Sequence, residues 1–332
     1  MTNAAPFPHR LRGISPCSYA HPTDRATAAA LRQIPYVDCL LPQLTDLGLE
    51  RSYRQSLMAS GIRIGPNQLP QLWRDYQSCL AALDSEVEGE LFLVQTPEVN
   101  ATAFGVERPI IVLHSGLVSL LEPEELKAVI AHEVGHIHSG HGLHSTLLSL
   151  LVSLGGSALA IGELPLQLIR LALLEWSRAA ELTCDRAATL ATRDPLLVCR
   201  ALMKLSGGGM AGLNVEAFLQ QAMQVDDGLN PLERGLSSLA ELSLSHPLAA
   251  RRVRELMRWV QSGDYDRILN GVYVRRGEEA IASNNFTQAV DFCTGQVNTL
   301  IQEAGSGVQQ LAQGVGEWVR SATRASHPEG IP

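Results

Sequence analysis

Basic charge is in short supply in this chain: 26 Lys and Arg stand against 34 Asp and Glu, for a net charge of −8. Phosphate binding needs a basic face, so nucleic acid is excluded as a partner. No run of one sign is long enough to act as a charged tail. The six cysteines (Cys17, Cys39, Cys79, Cys184, Cys199, Cys293) include no C-x-x-C pair. Their spacing excludes a cysteine zinc cluster and a dense disulfide framework, and fits scattered buried thiols in a reducing compartment. The first 22 residues carry basic side chains but no apolar segment after them, so no cleaved signal peptide is expected. This places the protein inside the cell, in the cytoplasm. No internal repeat is visible.

What the chain does have is enough apolar material for a sizeable core. It is 45% hydrophobic and 18% charged over 332 residues, room for one large domain or two ordinary ones. Residues 1–60 read as an arm, rich in Pro, Ser and His over 1–22, leading into a helical region. A main domain follows over 61–272, and 273–332 is a helical or partly disordered appendage. Two apolar segments, 90–95 and 108–113, read as strands. Pro123 suits the first position of a helix, with Glu124 and Glu125 on the positive end of its dipole. Leu126, Val129, Ile130, Val134 and Ile137 then recur with helical period. Residues 143–162 carry no charge, and a second helical run leads through Trp176 to Leu190. Glu163, Gln167, Arg170 and Ser177 on that run have the spacing of an amphipathic surface helix. Together, 143–176 reads as a helical hairpin.

The chemistry-bearing segment is His132-Glu133-Val134-Gly135-His136, on the helix that Pro123 begins. Histidines four apart differ by about 40° round a helix axis and share one face, so both imidazoles can reach one zinc. Glu133 lies about 100° round, placed to hold a water and take its proton. A catalytic zinc keeps three protein ligands and one open position. Glu181 offers the third, and Asp185, four residues on, can reach a ring N–H of a ligating histidine. His138, His141 and His144 lie about 240°, 180° and 120° round the helix from His132, so they do not join the same metal and read as polar or hydrogen-bonded helix residues. His21 and His114 read as lone structural histidines, and Cys184 as a small core residue.

These runs resemble the HtpX-like and CAAX-prenyl endopeptidase family of gluzincins. The matching segments are residues 124–136, residues 177–185, Asn100-Ala101-Thr102-Ala103-Phe104, and Ser245-His246-Pro247-Leu248 continuing through Arg251 and Arg252. They come in the family's order over about residues 60–260. Leu182, Cys184 and Thr102 depart from the family pattern. The resemblance implies an α+β, mainly helical, zincin-like peptidase domain with a small mixed sheet and an active-site helix. It implies one zinc per chain on His132, His136 and Glu181, with Glu133 as general base, Asp185 orienting His132, and His246 as a donor to the oxyanion. It also implies a polypeptide substrate that adds as a strand to a sheet edge at Asn100 and Ala101.

Relatives in this family often span membranes between the two ligand segments. Here two spans of about twenty residues plus a turn would use nearly the whole interval from His136 to Glu181. The returning arm also carries Glu163, Arg170 and Glu175, which are costly in hydrocarbon. A hairpin folded on the domain fits better, with contact to a membrane surface or to another copy of the chain left open. The alternative function is a catalytically silent, zinc-stabilised binding module. Leu311, Val315, Trp318 and Val319 suggest a C-terminal segment that lies over the cleft.

Overall fold

A computed structural model describes residues 10–33, 49–106, 108–142, 164–225 and 248–279, with the helical positions 145 and 148. His246, His144, most of the uncharged stretch and the C-terminal residues 280–332 lie outside the described residues. The fold is mainly helical with one small mixed sheet.

That sheet is built from β1 (Ile62–Arg63), β2 (Glu90–Val94), β3 (Ala101–Phe104) and β4 (Ile110–His114), in the order β1-β2-β4-β3. β2 and β4 are the two strands expected from sequence. They pair in parallel, Glu90 opposite Ile110 and Val94 opposite His114. β3 closes one edge antiparallel to β4, with Ala101 opposite Leu113. Side chains alternate across the pleat. Leu91, Ile111 and Leu113 enter the main core, while Phe92, Ile110 and Val112 pack with Leu57 of α2 (Leu49–Ser60) on the other face. A strand buried on both faces reads as a continuous apolar run, which is why β4 stood out.

Under the sheet lie α3 (Pro70–Ala82) and the long α5 (Pro123–His138), with the short α4 (Ser115–Leu120) between β4 and α5. α5 starts where the sequence places it. Pro123 is at its first position, and Glu122 and Glu125 form a reciprocal capping box that satisfies backbone donors at the N-terminus. It ends at His138, because Gly140 takes a left-handed φ of 70° and turns the chain back. α6 (Leu164–Thr192) then crosses α5, followed by α7 (Pro195–Gly207), α8 (Val215–Gln224), α9 (Ala249–Gln261) and α10 (Asp264–Leu269). α5 and α6 approach closely at Gly135. A Cβ there would meet the Ala187 Cβ at 2.8 Å and the Cys184 Cα at 3.2 Å.

The surface-helix expectation for the run through Trp176 does not extend to the later part of α6. There Leu173, Trp176, Ala179, Ala180, Cys184, Ala187 and Ala188 are all buried. This part of the helix packs against α5, α7, α9 and the N-terminal helix at Pro22–Gln33.

Residues 10–21, expected to be an extended arm, form a packed strap. Leu11, Ile14 and Tyr19 are buried, and Ser15 donates its backbone N–H to Val274 O at 2.9 Å. α1 (Pro22–Gln33) then runs against α6. Among the described residues, no helix is long and apolar enough to cross a membrane.

Candidate metal centre

The site lies where α5 faces α6. His132 and His136, one turn apart on α5, both direct Nε2 toward Glu181 of α6. His132 Nε2 is 3.4 Å from Glu181 Oε2, and His136 Nε2 is 3.3 Å from Glu181 Oε1. Two ligands at tetrahedral positions on a zinc, each about 2.0–2.1 Å away, sit about 3.3–3.4 Å from one another. Each nitrogen–oxygen separation has the length of one edge of a zinc tetrahedron, the two running to different oxygens of the carboxylate, and two imidazoles with a carboxylate are a donor set that fits the ion. The Cys184 thiol also lies within 4.8 Å of donor atoms of both histidines. Cys184 is fully buried, however, and burial together with nearby carboxylates pushes its thiol well above the ordinary range. The sequence reading takes it as a small core residue, and its complete burial agrees with that.

Behind His132 stands Asp185, one turn beyond Glu181, with Oδ1 3.1 Å from His132 Nδ1. Arg252 of α9 forks onto Asp185, donating from Nε to Oδ2 at 2.8 Å and from Nη2 to Oδ1 at 2.6 Å. Its third nitrogen, Nη1, lies 3.0 Å from Glu181 Oε2. Burial opposes ionisation of both carboxyls, yet Arg252 and His132 hold them below their ordinary range, Glu181 well below. Burial likewise opposes charge on His132, but Glu181 and Asp185 overcome it and raise the imidazole to about 10. Such a place is one where positive charge is stabilised.

Behind His136 the arrangement differs. His136 Nδ1 lies 3.1 Å from His141 Nδ1. His141 Nε2 lies 3.2 Å from Asp24 Oδ2 of α1, and the Thr183 hydroxyl donates to the same carboxylate oxygen at 2.6 Å. The helical-wheel expectation for His141 fails because α5 has already ended. Gly140 turns the chain so that His141 N donates to His136 O at 3.0 Å and the ring folds back beside His136. The other lone histidines are structural. His138 meets the Tyr19 hydroxyl at 2.6 Å, and His114 Nδ1 lies 3.4 Å from Glu98 Oε2. The backbone N–H of His21 donates to Thr183 Oγ1. Burial holds the rings of His21 and His138 down to about 4.

A cavity of about 350 Å³ opens on the other side of the site. Asn100 and Ala101 of the β3 edge line it together with His132, Glu133, Glu181, Asp185 and Arg252. Its floor is apolar: Leu117, Val129, Val198, Ala201, Leu202 and Leu205. His246 is outside the described residues, but Leu248 and Ala249, close after it, are on the cavity wall.

Of the site residues, Asp24 escapes the sequence reading, His141 is read there only as a hydrogen-bonded helix residue, and Arg252 stands in the family-like segment without a role. Arg252 leaves a trace, because it shares a face of α9 with the buried Leu256 and Trp259, four and seven residues on. A charge inside an apolar stripe marks a buried partner. Asp24 leaves none, since an acid in the first turn of a helix is ordinary.

A profile of the family described as Peptidase family M48 matches residues 66–260. The sequence is 34% identical over 257 residues to the plastoglobule-localized metallopeptidase 48, chloroplastic, of Arabidopsis thaliana, covering 76% of this chain and 74% of that protein. It is 27% identical over 237 residues to a protease HtpX homolog of Ralstonia nicotianae, covering 63% and 80%. Among solved structures, the S. mikatae Ste24p crystal structure is similar at 18% identity and a TM-score of 0.37, over 66% of this chain and 56% of that one. This chain therefore spans little more than half of that structure's length.

Proposed function

Because the chain belongs to peptidase family M48 and is a metalloprotease, we propose that it is a zinc-dependent endopeptidase with its metal on His132, His136 and Glu181. The observation that carries this reading is the pair of 3.3 and 3.4 Å separations between two Nε2 atoms and the two oxygens of one carboxylate. Zinc, when bound, lowers the pKa of a coordinated water and polarises the peptide carbonyl.

The chain's own residues do the rest. Glu133 lines the cavity beside His132; it takes the proton from water and passes it to the leaving amine. Asp185 accepts from His132 Nδ1–H, which leaves the Nε2 lone pair for the metal. Arg252 fixes both Asp185 and Glu181. His246 is the proposed donor to the carbonyl oxygen. The outer edge of β3, at Asn100 and Ala101, receives the polypeptide as an added strand. The apolar floor of the cavity takes an aliphatic or aromatic side chain next to the scissile bond. In this reading edge strand, active-site helix and ligand helix form a zincin-like site.

The test is turnover of unfolded casein by the full-length protein, before and after chelation. Cleavage that disappears with the metal and returns on adding one equivalent of zinc supports the proposal. Stoichiometric zinc with no cleavage of casein or of a mixed peptide library would instead support a silent binding module.

A further inference from the structure

The two histidines are supported differently. His132 rests directly on a carboxylate, that of Asp185 in α6. On its Nδ1 side His136 reaches a carboxylate through a second ring, and that carboxylate belongs to α1, outside the residues 66–260 that the family profile matches. We propose that Asp24 and His141 are positioning residues that set the tautomer of His136, so that the N-terminal helix completes the metal centre.

The argument follows from counting protons. Asp24 Oδ2 is an acceptor, already taking the Thr183 hydroxyl, so His141 Nε2 beside it carries a hydrogen. A neutral His141 then has its lone pair on Nδ1. The facing atom 3.1 Å away is His136 Nδ1, which must be the donor in that pair. With its proton on Nδ1, His136 has its lone pair on Nε2, the atom 3.3 Å from Glu181 Oε1. Without Asp24, His141 is free to carry its single proton on Nδ1. His136 would then accept on Nδ1 and place N–H on Nε2, in the state that cannot bind a metal. The Cys184 Sγ, 3.6 Å from His141 Nδ1, is a weak donor to the same lone pair and favours the same tautomer.

Two further features support the assignment. Asp24 and His141 are both buried, and the Trp176 ring meets His141 edge-on, with centroids 5.4 Å apart, which fixes its plane. The segment that delivers Asp24 is held independently, because Arg186 donates to the carbonyl oxygens of Tyr19 and Ala20.

The inference rests on His136 being a ligand, and the experiment separates the two claims. Zinc affinity is measured by chelator competition on full-length Asp24→Leu, Asp24→Asn, His141→Phe, Arg186→Ala and His136→Ala, each checked for native circular dichroism. Asp24→Leu and His141→Phe are expected to weaken zinc binding roughly 10–100-fold, as loss of a ligand's outer partner does. Asp24→Asn keeps an acceptor oxygen and is expected to recover most of it. Arg186→Ala removes only the bonds to the Tyr19 and Ala20 carbonyls, leaves α1 packed on α6 with Asp24 in place, and is expected to bind zinc as the wild type does. Nitrogen-15 shifts of His136 should show the proton on Nδ1 in the wild type and a mixture of tautomers in Asp24→Leu. Wild-type affinity in folded Asp24→Leu would overturn the inference, as would an equal loss in Arg186→Ala. Zinc retained by His136→Ala would instead overturn the ligand assignment beneath it.

Discussion

At Arg252 one guanidinium holds two buried carboxylates, those of Glu181 and Asp185, and the rest of the site depends on their staying ionised and in place. Arg252→Met leaves both carboxylates short of their cation. Breaking a buried ion pair from one side costs about 3–5 kcal/mol, so denaturant unfolding should register a loss of that order. An unchanged midpoint would show that water replaces the guanidinium. The same charges set the pH dependence of protein stripped of metal by a chelator. Glu181, Asp185 and Asp24 sit below their ordinary values. Their contribution is present above the ordinary carboxylate range and is lost as pH falls through the lowered folded values. His132 sits at about 10, above its ordinary 6.5. Its contribution is complete below 6.5 and is lost as pH rises through 10. Stripped protein should therefore weaken at both extremes, and a denaturation midpoint flat from pH 6.5 to 10 would contradict the His132 environment. Much of this residue scale was legible: spacings of four on two helices single out His132 with His136 and Glu181 with Asp185. The role of Arg252 was not: the family-like segment includes it, but its place between Glu181 and Asp185 shows only once α9 packs with Leu256 and Trp259 buried.

At the scale of elements, the approach of α5 and α6 decides whether the ligands meet. Gly135, inside the motif, is what allows it. A methyl group there would sit 2.8 Å from the Ala187 Cβ, and overpacking of this kind costs about 1–3 kcal/mol. Gly135→Ala should lower the thermal midpoint and also weaken zinc binding, since the helices separate along the line joining His132 to Glu181. Loss of stability with unchanged zinc affinity would mean that the strain is absorbed elsewhere. The start of α5 and the positions of β2 and β4 could be read from capping residues and apolar runs. The burial of α6 could not, because its interior faces are made largely of alanine, which carries little pattern. The end of α5 was missed for a related reason: one left-handed glycine, Gly140, stops a helix that the histidine spacing seemed to continue.

For the whole molecule, the two ends of the described chain are joined by backbone pairing that no side-chain pattern encodes. Ile14 bridges to Arg275, and Asp84 gathers both ends. Its Oδ2 accepts from Gly13 N at 2.6 Å, Arg10 pairs with it, and Arg276 donates to its carbonyl oxygen at 2.8 Å. The division at residue 60 drawn from composition is therefore crossed by the strap of residues 10–21, which packs against α3 and the segment after α10. Asp84→Ala should destabilise the protein by roughly 1–3 kcal/mol through the unpaired Gly13 N–H and freed arginines. Zinc affinity should be unchanged, because Asp84 touches nothing at the metal centre. A fall in zinc affinity would show that the strap transmits to Asp24 more strongly than its local contacts suggest.

The most direct test of the account compares the wild type with Glu133→Gln, measuring casein cleavage and bound zinc on the same samples. The account predicts one zinc in each and a fall in turnover of about 10²–10⁴-fold in the variant, the usual contribution of a general base. Equal cleavage by the two proteins, with zinc bound in both, would contradict it.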